Sequence, residues 1–220
     1  MPDVLLFDLN ETLLDLGALD PLFARMFGDA AVRKTWFAQV LQLFMTATII
    51  DHYRSFDLLV EDALTMVASI RAYSLTAADR DAIRTALGHL PPHPDVLPGL
   101  TAMRDAGFRL VALTNSTANA ATTLIDRAGL RPLFEHVLSA DAVKRYKPAR
   151  AVYEYAAQTV GVPIAHTRLV AAHGWDIAGA MQAGCKAAFV ARPGATLSPA
   201  AARPDLIVAD LRELATRLSG

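Results

Sequence analysis

The chain has 220 residues, of which 53% are hydrophobic and 20% charged, and a formal net charge of −1. That length allows one large domain or a domain carrying an insert, and the near-zero charge excludes a nucleic-acid partner held by a basic patch. With Cys185 as its single cysteine the chain forms no internal disulfide, and no apolar run approaches the roughly 20 residues that span a bilayer.

The amino terminus lacks the basic and apolar regions of a secretory signal, so a cytoplasmic location is expected, with neither nucleic acid nor membrane as partner. Residues 4–9 form a short apolar run, the pattern of a strand buried on both faces. From residue 19 to about 90 no strand pattern occurs; helical patterns are punctuated by Gly28, Asp51 and Ser74. Trp36, Phe37, Val40, Leu41, Phe44 and Met45 give one broad apolar face at helical spacing. The segment closes at Pro91, Pro92, His93 and Pro94, a stiff extended stretch.

Alternation then resumes. Strands are predicted at 108–113, 133–138, 167–172, 187–191 and 206–208, and helices at 100–106, 117–128, 149–160 and 177–183. Such alternation is the signature of a parallel sheet covered by helices. The expected fold is therefore α/β, a Rossmann-like parallel-sheet core (residues 1–14 and 93–220) with an inserted all-helical cap (15–92). Cys185, in the helical context MQAGCKAA, reads as a small buried residue.

Ligands of open α/β sheets gather beyond the carboxyl ends of the strands. At those ends the sequence places Asp8, Asn10, Glu11 and Thr12, then Thr114, Asn115 and Ser116, then the loop cations Lys144, Arg145 and Lys147, and finally His173, Trp175 and Asp176. An acid, hydroxyl and amide groups, a cation, and an imidazole with a second acid thus converge on one edge.

In order and spacing, FDLNETL, ALTNST, YKPARAVYE and AAHGWDIAGA resemble the haloacid dehalogenase superfamily. The last three are similar to its type II 2-haloacid dehalogenase branch, whose runs read close to LSNGS, YKPxxxVY and S-N-x-W-D. The resemblance implies a hydrolase in which Asp8 attacks the α-carbon of a small carboxylic acid and forms an aspartyl ester that water cleaves. It implies that Lys147 keeps Asp8 ionised, that Thr12 orients it, and that Asp176 or His173 activates the water. Thr114 and Asn115 would hold the substrate carboxylate, with Asn10, Phe37 and Trp175 around it. Tyr153 would partner Lys147 or the substrate. No metal or cofactor is implied; a homodimer is.

Departures sharpen this reading. Phosphatases of the superfamily carry D-x-D, where this chain has Asp8-Leu9-Asn10, and an acidic pair where it has Ala171-Ala172-His173. A magnesium site has thereby lost a carboxylate, leaving a divergent phosphatase as a remote alternative. The dehalogenase branch has Tyr-Gly where this chain has Asn10-Glu11, serine at Ala171 and asparagine at His173. Counting back from Tyr53 and Phe56, its halide-abstracting arginine falls at Phe37; Arg33, one turn earlier, is the candidate replacement. An apolar residue there also suits a cationic leaving group, as in azetidine-2-carboxylate hydrolases, which open a C–N ring. A non-catalytic binding module is the alternative from another class.

Overall fold

The computed structural model describes residues 4–220. Among the described residues six strands form one parallel sheet: β1 (Val4–Phe7), β2 (Arg109–Thr114), β3 (His136–Ser139), β4 (Thr167–Ala171), β5 (Lys186–Val190) and β6 (Leu206–Val208), in the order β3-β2-β1-β4-β5-β6. In β1 every residue is buried, and its side chains alternate between two layers. Leu5 and Phe7 join one apolar cluster, Val4 and Leu6 the other, as the two-residue strand period requires.

Helices α5 (Val96–Asp105), α6 (Ala118–Arg127) and α9 (Leu211–Ser219) supply Leu100, Ile125 and Leu214 to the first cluster. Helices α7 (Arg150–Val160) and α8 (Gly174–Ala183) supply Val152 and Ile177 to the second. The chain runs outward from β1 through β2 to β3, then returns to place β4 on the other side of β1. The end of β1 is therefore the switch point, where a crevice opens in such sheets. Register aligns Phe7 with Ala112 and Val170, which brings the ends of β1, β2 and β4 side by side.

Between β1 and α5 lie only helices: α1 (Asp20–Phe27), α2 (Val32–Ile49), α3 (Phe56–Ile70) and α4 (Ala77–Leu87). The breaks fall at Gly28, around Asp51 and before Thr76, whose hydroxyl and Asp79 form a reciprocal capping box. Trp36, Val40 and Phe44 of α2 are buried, and Phe37, Leu41 and Met45 pack beside them. This helical segment is tied to the sheet near β3: Tyr53 Oη donates to Asp141 at 2.7 Å, and the Tyr146 amide donates to Thr48 Oγ1 at 3.1 Å.

Some elements differ from the sequence expectation. The strand expected at 133–138 begins at His136, because Pro132 sits in the first turn of a 3-10 helix over Arg131–Leu133. Helix α5 starts at Val96 rather than 100; Pro98 lies in the first turn, where no intrahelical N–H is needed. Helix α8 starts at Gly174 rather than 177, so His173 is its N-cap residue and Trp175 and Asp176 lie in its first turn. Cys185 is buried as expected, but it lies beyond α8, after Gly184 at φ +107°.

Candidate active site

Asp8 follows β1 directly and only 7% of its side chain is exposed. Each carboxylate oxygen has a donor: Lys147 Nζ at 2.7 Å from Oδ1 and Thr12 Oγ1 at 2.7 Å from Oδ2. Thr12 Oγ1 in turn accepts the Ala172 amide at 2.9 Å, which joins the β1 loop to the end of β4. Lys147 is wholly buried and spends its three protons on Asp8, on Asp176 Oδ2 at 2.6 Å and on the Leu113 carbonyl at 3.0 Å. An ammonium group has no fourth donor, so this lysine is a fixed counter-ion with nothing left for a substrate.

Asp176 is also wholly buried, with Oδ1 accepting from Tyr153 Oη at 2.6 Å. Tyr153 thus partners Asp176 rather than Lys147 or a ligand: being fully buried on α7, its side chain faces the first turn of α8. The electrostatics follow from this geometry. Burial pushes the Asp8 carboxyl up, but the Lys147 charge, His173, and the hydrogen bonds from Lys147 and Thr12 leave it below the ordinary value. Burial also pushes Asp176 up, and there the Lys147 charge falls short, with Asp8 adding to the rise, so its pKa ends above the ordinary value. Lys147 is lowered by burial yet ends above its ordinary value because two carboxylates face it.

His173 sits on the more open side of Asp8, with Nε2 at 3.8 Å from Asp8 Oδ2 and from Glu11 Oε2. The same nitrogen lies 3.1 Å from the Asn10 carbonyl. A carbonyl only accepts, so Nε2 carries the proton and Nδ1 is the ring's acceptor when neutral. The ring stacks on Trp175 (centroids 5.2 Å apart) and packs against Phe37 (5.8 Å). The Trp175 indole N–H is buried with no partner among the described residues.

Arg33 is a poor substitute for the missing arginine. It is buried, pairs with Glu11 at 3.1 Å and also binds Asp20 through Nε, so two carboxylates offset its charge. Lys144 and Arg145 stay outside the site, paired with Asp141 and Asp51. Thr114 Oγ1 accepts the Ser116 amide at 3.1 Å, and Asn115 Oδ1 accepts the Lys147 amide at 2.8 Å. These two side chains brace the loops, whereas Asn10, Ser116 and Asn119 are among the polar residues lining the adjoining chamber, with Asp57, Glu61, Arg84 and Thr123.

That chamber, about 460 Å³, lies between the helical segment and α6. A second cleft of about 350 Å³ holds Glu11, Arg33, His173 and Trp175, and Phe37 lines both.

Sequence reasoning missed Arg192 and Asp95. Arg192 donates through Nε (3.1 Å) and Nη2 (2.9 Å) to the Thr12 carbonyl, while Nη1 pairs with Asp95 at 2.6 Å. The available signal was a cation two residues past β5, at the same sheet edge as the other polar groups. It also missed the backbone of Glu11, which adopts a left-handed φ of +60° uncommon for a side chain of this kind.

A parallel α/β sheet that presents a carboxylate with a buried lysine counter-ion at its switch point is a Rossmann-like hydrolase core. Residues 2–184 match the family model of haloacid dehalogenase-like hydrolases, and the chain belongs to that family. It is 28% identical over 215 residues to (S)-2-haloacid dehalogenase 2 of Pseudomonas sp. strain CBS-3, covering 97% of this chain and 94% of that one. The (S)-2-haloacid dehalogenase of Pseudomonas sp. strain YL is 29% identical over 210 residues, covering 94% and 90%. Among solved structures, the L-2-haloacid dehalogenase RSc1362 superposes with a TM-score of 0.95 at 26% identity, covering 100% of this chain and 99% of that one.

Proposed function

We propose that the protein hydrolyses the carbon–halogen bond of 2-haloacids through an ester on Asp8, without a metal or cofactor. The observation that carries this is Lys147, wholly buried with all three protons committed, which keeps the buried Asp8 anionic. Asp8 displaces the halide at the α-carbon in one step, which inverts that carbon. Water then attacks the Asp8 carboxyl carbon, His173 Nδ1 takes its proton and returns it to the departing alkoxide oxygen, the 2-hydroxyacid leaves with the α-carbon–oxygen bond intact, and the regenerated Asp8 carboxyl releases its remaining proton to solvent. Net inversion follows.

Asp176 and Tyr153 orient Lys147; both oxygens of Asp176 are taken, which favours His173 as the group that activates water. Asn10, Ser116 and Asn119 hold the substrate carboxylate beside the start of α6. The unpartnered Trp175 N–H takes the departing halide, with Phe37 as the apolar wall of that space.

One observation favours a second leaving group. Beside His173 lie the Glu11 carboxylate and the Phe37 and Trp175 rings, with Arg33 already neutralised. That setting suits a cationic amine, such as the ring nitrogen of azetidine-2-carboxylate. Halide release from 2-chloropropionate in chelator-treated buffer, abolished by Asp8→Asn, is the expected result. No halide release together with opening of azetidine-2-carboxylate reassigns the leaving group to nitrogen, and phosphatase turnover dependent on magnesium overturns both.

The working form is a cytoplasmic homodimer. Ile49, Ile50, Leu58 and Ile70 on the helical segment are exposed apolar residues that a second copy would cover, and among the described residues no helix is long and apolar enough to cross a membrane. Light scattering on the eluting protein at twice the chain mass is expected; a monomer at micromolar concentration refutes the dimer.

A further inference from the structure

A halopropionate has six non-hydrogen atoms, and the chamber lined by Asn10 and Ser116 is built for more. Its 460 Å³ equals the space of roughly 15 waters at about 30 Å³ each, within the range of pockets that enclose drug-sized ligands. Two of its polar residues, Asn10 and Ser116, lie together, with Asn10 Nδ2 at 3.4 Å from Ser116 Oγ. Much of the wall is apolar: Trp36 and Val40 come from α2, Phe56 and Val60 from α3, Ile83 and Leu87 from α4. Ala120 and Leu124 of α6 close the opposite side.

We infer that the substrates are 2-substituted acids carrying a long apolar chain or an aryl group, the carboxylate at Asn10 and Ser116 and the tail in this chamber. The assignment deepens the proposed function and rests on it for the placement of the reacting carbon.

The charges at the chamber's wall limit what the tail carries. Asp57 and Glu61 line it as acids, and the single lining cation, Arg84, is paired with Asp81. A second carboxylate at the far end of the tail meets no unpaired cation among the lining residues. The preferred tail is neutral and apolar.

Unreactive acids separate this inference from the chemistry. Binding of propanoate, octanoate and octanedioate to the full-length protein is measured by isothermal titration calorimetry. Each methylene that enters an apolar wall tightens binding roughly fourfold, so octanoate is expected to bind at least about tenfold tighter than propanoate even with half its added methylenes in place. Octanedioate is expected to lose that gain. Ala120→Phe narrows the chamber and is expected to collapse the octanoate-to-propanoate ratio toward one.

Turnover then compares 2-bromooctanoate with 2-bromopropanoate by halide release, with the larger kcat/KM expected for the longer acid. Equal binding of octanoate and propanoate, or a lower kcat/KM for the longer acid, overturns the inference. An octanoate preference that survives Ala120→Phe also overturns it, since the tail then lies elsewhere. Tight octanoate binding without halide release from either acid retains the chamber assignment and refutes the dehalogenase reading.

Discussion

Replacing Lys147 with methionine tests the centre of the site, because the new side chain fills similar volume without the charge. Two carboxylates then lose their counter-ion: Asp8, 7% exposed, and Asp176, fully buried, held at 2.7 and 2.6 Å from the ammonium in the native protein. Removing one partner of a buried ion pair costs about 3–5 kcal/mol, a large share of the roughly 5–15 kcal/mol that holds a domain folded. Both carboxyls escape part of that cost by taking up protons, so the loss in Lys147→Met shrinks as pH falls toward 4. Adding Asp176→Asn removes one buried charge and recovers about 1–2 kcal/mol. Urea unfolding at pH 7 and pH 4.5, with the slope checked for constancy, measures all three terms. Activity behaves differently: without the Lys147 charge the burial of Asp8 raises its pKa and weakens it as a nucleophile, and kcat falls on the order of a thousandfold in both variants. A loss of stability under about 1 kcal/mol, or one that grows on acidification, refutes the counter-ion argument.

Gly179→Ala is expected to disturb the site from behind, since a Cβ there would meet the Pro148 Cβ at 2.3 Å and its carbonyl oxygen at 2.7 Å. Overpacking of this kind costs about 1–3 kcal/mol, and the displacement of the residue after Lys147 lowers kcat; thermal unfolding and steady-state kinetics read both. Arg192→Met removes the clamp on the Thr12 carbonyl and leaves Asp95 without its arginine. It is expected to destabilise by about 2–4 kcal/mol and to lower kcat with little change in KM, whereas a purely structural role would lower melting temperature alone. For pH, the folded-state pKa of Lys147 is raised above 10.5, so its stabilisation is full below that value and is lost as pH climbs through the folded pKa. Stability should decline above pH 10.5, and that decline should be smaller in Lys147→Met. Asp8 is held below 3.8, so the acid limb of ester formation in rapid-quench experiments lies below pH 3.8.

Much of the core was legible because burial writes itself into sequence. The run at β1 is apolar without alternation since both faces are covered, and Asp8 stands out because a charge directly follows it. Polar groups at successive strand ends pointed to one edge before any geometry was known. Boundaries were less legible where a helix begins without a conventional cap: α8 opens on Gly174 and Trp175, while the helical pattern in the sequence is plain only from Ile177. Direction was not legible at all. Tyr153 lies six positions after Lys147, which suggests proximity, yet the hydroxyl turns to Asp176 on another helix. Arg33 lies on the right face of α2, but its pairing with Glu11 and Asp20 depends on contacts 22 and 13 residues away. Arg192 acts on a backbone carbonyl 180 residues earlier, a relation no local pattern encodes.

In the proposed reaction the oxygen delivered to substrate comes from Asp8. A single turnover of 2-chloropropionate with enzyme in excess, run in ¹⁸O-labelled water, separates this from direct attack by water. Unlabelled 2-hydroxypropionate and one ¹⁸O in the peptide that contains Asp8 are expected, read by mass spectrometry. Labelled product with an unlabelled Asp8 peptide would contradict it.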